Sequence, residues 1–235
     1  MHEHPVQRFW SELASLKHYP SGVVPVPSYL AGTAFFSASA GLYRPAGSRA
    51  LPPFPFGGYM VVGHNLDAEG PFLARLSSGQ SHGDAERPMR TWQNLYRLLE
   101  RAAIQPTSCF FTNAYVGLKA GEAATGSFAG ATDTEFRRWC AEFLTRHIEV
   151  MQPITIATLG ISAARFMGAL FDELADWDKP RLPSPEPRRV HIAGHEITAV
   201  GLAHPSGHHA SLHQRRYDGL VGIDAEAALF RAVAS

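Results

Sequence analysis

Tyr59-Met60-Val61-Val62-Gly63-His64-Asn65-Leu66-Asp67 is a short apolar run that stops at a glycine and turns polar at once. Its length, β-branching and lack of alternation fit a strand covered on both faces, as in a parallel sheet between helices. Three later stretches repeat the pattern: residues 109–112, residues 154–159 stopping at Gly160, and residues 197–201. The last of these reads as the second arm of a hairpin that begins at residues 190–193 and turns at Gly194-His195.

Helical periodicity fills the intervals. Trp92, Leu95, Tyr96, Leu99 and Ala103 share one face of a helix expected over residues 92–104, with Thr91 as its N-cap. Further helices are expected over residues 134–151, from Gly160 through Phe171, and over residues 225–233. Near the start, Phe9, Trp10, Leu13 and Leu16 recur at helical spacing before Tyr19-Pro20 ends the pattern. The four prolines between Lys179 and Arg188 make residues 174–189 an irregular surface loop. Strands alternating with helices predict a three-layer α/β/α sandwich around a central, mostly parallel four-stranded sheet. One domain over residues 1–235 is expected, with the N-terminal helix and loop region 1–55 packed on it.

Composition narrows the chemistry. With 45% hydrophobic and 18% charged residues in 235, the chain is neither disordered nor fibrous. Lys plus Arg (21) cancels Asp plus Glu (21), so any nucleic-acid contact must be a local patch. Cys109 and Cys140, the two cysteines, cannot build a disulfide framework, a four-thiolate zinc site or a four-cysteine cluster. The first ten residues lack a basic stretch followed by an apolar run, so a cytoplasmic protein is expected. Residues 21–43 carry no charge, yet Pro25, Pro27 and Gly32 suit an ordered loop better than a membrane span.

In a parallel sheet, ligands bind at the carboxyl ends of the strands. The expected topology collects four polar segments there: residues 63–67, residues 112–114, residues 160–162 and residues 204–209. Gly63-His64-Asn65, Thr112-Asn113-Ala114 and His204-Pro205-Ser206, in that order, resemble three motifs of the uracil-DNA glycosylase superfamily, over roughly residues 55–220. The run at residues 154–160 is similar to that family's strand before a helix. The resemblance lies nearest the classes with Asn rather than Asp in the first motif, and Gly70-Pro71-Phe72 resembles the single-strand-selective class. Two positions depart from the pattern. Leu66 stands where relatives carry proline, and Asp67 where they carry Tyr or Gly.

The resemblance implies hydrolysis of the N-glycosidic bond of uracil, or of a related damaged base flipped out of DNA, as in base-excision repair. Asn113 would read the base edge, since its amide offers a donor and an acceptor. His204 would donate to uracil O2 as negative charge develops there. Asn65 would position the attacking water, a weaker base than a carboxylate, and Asp67 could supply the missing carboxylate. His64 and Phe72 would complete the base pocket, Phe72 by stacking. Ser206, Gly207, His208 and Arg215 would meet the DNA backbone and duplex gap, with Arg188, Arg189 and Arg216 adding local positive charge.

Two other readings stay open. His204, His208, His209 and His213 crowd ten residues, but no His-Glu-x-x-His or Cys-x-x-Cys pattern accompanies them, so no metal and no cofactor is expected. The zinc deaminases are excluded on cysteine count. A family member that binds a base, nucleotide or damaged DNA without cleavage is the second alternative, and salt dependence separates it from a duplex binder. DNA is the expected partner, with no membrane and a monomeric state.

Overall fold

In the computed structural model, which describes residues 3–26, 53–77, 90–123, 126–206 and 210–232, strands and helices alternate as the apolar runs require. In chain order the elements are α1 (Pro5–Ser15), β1 (Val23–Val24), β2 (Tyr59–Ala68), α2 (Glu69–Ser77), α3 (Arg90–Arg101), β3 (Cys109–Lys119), α4 (Thr134–Met151) and β4 (Thr155–Leu159). Then come α5 (Gly160–Gly168), β5 (Arg188–Ile192), β6 (His195–Leu202), α6 (Ala210–Gln214), the strand pair β7 (Arg216–Tyr217) and β8 (Leu220–Val221), and α7 (Ile223–Arg231).

The sheet runs β1-β3-β2-β4-β6-β5. Its four inner strands are mutually parallel, and these are the four runs legible in the sequence. The expected four strands become six because an antiparallel strand closes each edge: β1 on β3, and β5 on β6. Alternate residues along each inner strand enter opposite layers. Met60, Val62, Phe110 and Ile156 pack with Phe9, Phe143 and Phe166, whereas Val61, Phe111, Ala157 and Val200 pack with Trp92, Leu99 and Phe230. That alternation is what gives the three layers.

Several boundaries differ from expectation. β3 runs through Thr112 and Asn113 to Lys119, with residues 109–118 all buried, so these polar residues sit inside a strand and not in a turn after it. β2 likewise extends to Ala68. The hairpin turns at Ala193-Gly194, both at positive φ, one residue earlier than read from the sequence. Thr91 lies within α3 and not before it. α5 stops at Gly168, and Asp172–Trp177 forms a 3₁₀ helix that runs into the stretch expected to be irregular. Asp133 caps α4, its carboxylate accepting the Phe136 N–H at 2.8 Å. Of the charge-free segment, Val23–Val24 forms β1, and residues 27–43 lie outside the described residues.

Behind Asn113, the fully buried His147 on α4 meets the Thr112 hydroxyl at 3.2 Å through Nδ1 and packs on Phe9, Phe110 and Phe143. Burial drives its pKa down to about 3, helped by the neighbouring Arg146 charge. The unfolded chain therefore takes up this proton first, and stability is lost as pH falls from about 6.5 toward 3, at about 1.4 kcal/mol per unit. Between pH 7 and pH 4.5 the loss through His147 should reach roughly 2–3 kcal/mol. Urea unfolding at the two pH values should show a shallower acid slope in His147→Gln than in the parent, and equal slopes would refute the assignment.

Candidate functional site

The site is built from the carboxyl ends of the four inner strands. The chain passes from β2 outward to β3, then returns to β4 on the other side of β2, so a crevice opens between the ends of β2 and β4. Register fixes what lines up there. Asn113 pairs beside Gly63, Val62 beside Thr158, and Leu159 beside Leu202, so the first, second and third polar segments and the start of the fourth form one row.

Gly63 contributes no side chain next to Asn113, which is 3% exposed. Two residues further along, Asn65 Nδ2 donates to the Asp67 carbonyl at 3.3 Å. The Asn65 side chain also hydrogen-bonds His64. His64 stands edge-on to Tyr115 and Phe128, and its burial lowers its pKa against the opposing pull of the Asn65 bond. Asp67 is not in a turn. It lies in β2, its Oδ1 accepting the Ala68 N–H at 2.8 Å, just where an extra residue on β3 shifts the register between Asn65 and Asp67. A bulge of this kind re-aims side chains beside a site.

His204 follows β6. Its Nδ1 accepts the Ser206 backbone N–H at 3.2 Å, so that nitrogen is unprotonated and the neutral ring carries its proton on Nε2. Gly160, at φ +82°, opens α5 directly against it: a Cβ there would lie 2.9 Å from the His204 Cβ. The bare glycine is therefore what lets β4 and the His204 segment approach.

The arginines expected at the DNA surface need correction. Arg215 is 7% exposed and its guanidinium is spent internally, donating to Glu226 at 2.5 Å, the Gly201 carbonyl at 2.5 Å and the Pro183 carbonyl at 2.6 Å. It offers no charge to a phosphate. Arg188 and Arg189 are likewise paired, with Asp176 and Glu196. Phe72 is 2% exposed and packs within the core. Ser206 gives its backbone N–H to His204. Gly207, His208 and His209 lie outside the described residues, and among those described no group of three or more His, Cys, Asp or Glu could hold a metal.

Two residues were missed. Asn94 on α3 donates through Nδ2 to the Pro205 carbonyl at 2.7 Å, and Glu226 on α7 accepts the Ala203 N–H at 2.7 Å. Glu226 carried a signal: a lone carboxylate three and four residues before the buried Leu229 and Phe230, hence on the apolar face of α7. Elsewhere, a cleft of about 210 Å³ between α4 and α5 is lined by Arg137, Arg138, Phe166 and Leu170 and takes in none of the candidate residues. No helix among the described residues is long and apolar enough to cross a membrane.

Comparison with known families gives a match. The model of the uracil DNA glycosylase superfamily matches residues 60–218, more than half of the chain, from β2 into the β7–β8 pair. No curated protein matches the chain.

Proposed function

Since this chain belongs to the uracil DNA glycosylase superfamily, we propose that it hydrolyses the N-glycosidic bond of uracil, or of a closely related damaged base, flipped out of DNA. The observation that carries this reading is the state of His204. Its Nδ1 accepts from Ser206, so Nε2 is the donor nitrogen, the form needed to stabilise an anion on the departing base.

The row of strand ends supports the rest. Asn113 and the His204 segment sit on β3 and just beyond β6, three strand spacings apart, or about 14 Å between backbones. Side chains reaching in from both ends leave a width that suits a pyrimidine. Asn113 reads the base edge through its paired donor and acceptor. Asn65, oriented by His64 and by the Asp67 carbonyl, holds the attacking water. An amide is a poor base, so bond breaking runs ahead of water attack and turnover is slow. The carboxylate of Asp67 lies within two residues of Asn65, and its charge favours the oxocarbenium-like sugar.

The test is release of an abasic product from uracil-containing single- and double-stranded oligonucleotides. Product from the parent and none from Asn65→Ala would support the proposal. No product at enzyme excess from folded parent would refute it in favour of a binder that does not cleave. Gly160→Ala gives a further expected result. Positive φ costs an alanine about 1–2 kcal/mol, and the added methyl pushes on His204. Excision should fall by up to about 10²-fold, more than the accompanying loss of melting temperature accounts for. An unchanged rate would show that the methyl is absorbed without moving His204.

A further inference from the structure

β6 leaves the sheet after Leu202, so the backbone groups of residues 203–206 have no ladder partners and need others. Side chains from outside the sheet bond alternate residues around His204, from Gly201 at the end of the ladder to Pro205 beyond it. Glu226 takes the Ala203 N–H at 2.7 Å, Asn94 donates to the Pro205 carbonyl at 2.7 Å, and Arg215 donates to the Gly201 carbonyl at 2.5 Å while bonding Glu226. Both members of the ion pair are buried, Glu226 at 2% and Arg215 at 7% exposure. Burying two charges is a poor route to stability, since apolar residues of the same volume serve as well or better. What the pair supplies is direction: a carboxylate fixed by a fork of donors can hold one N–H at one place.

We infer that Glu226, Arg215 and Asn94 are positioning residues that hold residues 201–205 so that the His204 ring keeps Nδ1 on the Ser206 N–H and its proton on Nε2. Glu226 acts at the residue before His204, Asn94 at the residue after it, and Arg215 through Glu226 and Gly201. The inference rests on reading His204 as the donor to the departing base. Its geometric half stands apart from that reading.

The experiment uses the full chain labelled with ¹⁵N, in which the His204 ring signal is identified by its loss in His204→Asn. Long-range ¹H–¹⁵N spectra report which ring nitrogen carries the proton, without DNA. The variants are the double replacement Arg215→Met with Glu226→Met, and Asn94→Asp, which keeps shape but removes the donor to Pro205. The expected result is a single Nε2-protonated form in the parent and a mixture of tautomers in both variants. Single-turnover release of uracil should fall by about 10- to 10²-fold, with oligonucleotide affinity changed less than about threefold. Should the double variant not fold, Asn94→Asp, on the half-buried face of α3, decides the question. A folded variant that retains the parent His204 signature overturns the inference, whatever its rate. A shifted signature with no excision even by the parent sustains the positioning role and removes the glycosylase reading instead.

Discussion

Replacing His204 with alanine should lower uracil release by about 10²–10³-fold, the loss measured when one preorganised donor to a developing oxyanion is removed, or about 2.7–4 kcal/mol of barrier. The deficit should lie in kcat, with KM little changed. Uracil O2 gains charge only as the glycosidic bond lengthens, so the His204 Nε2–H bond strengthens mainly in the transition state. The folded variant should melt close to the parent, because the ring itself is half-buried at the edge of the sheet. Single-turnover assays on a uracil-containing single strand, beside Asn65→Ala, check this. Excision by His204→Ala at the parent rate would remove His204 from the chemistry and with it the role argued from its tautomer.

The inner sheet was legible in the sequence because a strand buried on both faces leaves an unmixed apolar run, and all four such runs are paired strands. The edge strand β1, two residues long, was not, whereas β5 was read as the first arm of the hairpin and differs only at its turn, which falls at Ala193-Gly194. Asn113 was read as following its strand, whereas it lies inside it, beside Gly63. Polar residues after an apolar run look like a strand end, whereas β3 continues because Ala114, Tyr115, Val116 and Leu118 can still be buried.

The candidate site divides in the same way. Gly63, Asn65, Asn113 and His204 were readable because strand ends concentrate chemistry and the motifs stand in order. Of the supports of His204, Glu226 carried a signal on the apolar face of α7, whereas Asn94 was not readable, because it meets Pro205 across more than a hundred residues. Arg215 shows the limit most sharply. In sequence it is one of two adjacent arginines after a histidine-rich segment, which reads as exposed charge. Burial separates the neighbours: Arg216 faces solvent, whereas Arg215 turns inward to Glu226.

That inward turn sets the second large effect. Arg215→Ala should destabilise the protein by about 3–5 kcal/mol, because it leaves the Glu226 carboxylate buried without its cation. The Gly201 and Pro183 carbonyls lose their donors as well. Glu226→Ala should cost a comparable amount by stranding the guanidinium. Replacing both with methionine should cost less than the two single changes summed, since no unpaired charge remains and the residual penalty is the two open carbonyls and the Ala203 N–H left without its acceptor. Urea unfolding of the four proteins checks this ordering. A phosphate contact would behave in the opposite way. Its removal would leave the unfolding midpoint in place and reduce the salt slope of DNA binding by about one charge. Arg215→Ala should instead shift the midpoint strongly. In the fraction that remains folded, the salt slope should be that of the parent. A stability loss below about 1 kcal/mol together with a reduced salt slope would return Arg215 to the DNA surface. The internal bonds to Glu226, Gly201 and Pro183 argue against that outcome, because every nitrogen of the guanidinium is already engaged inside the fold.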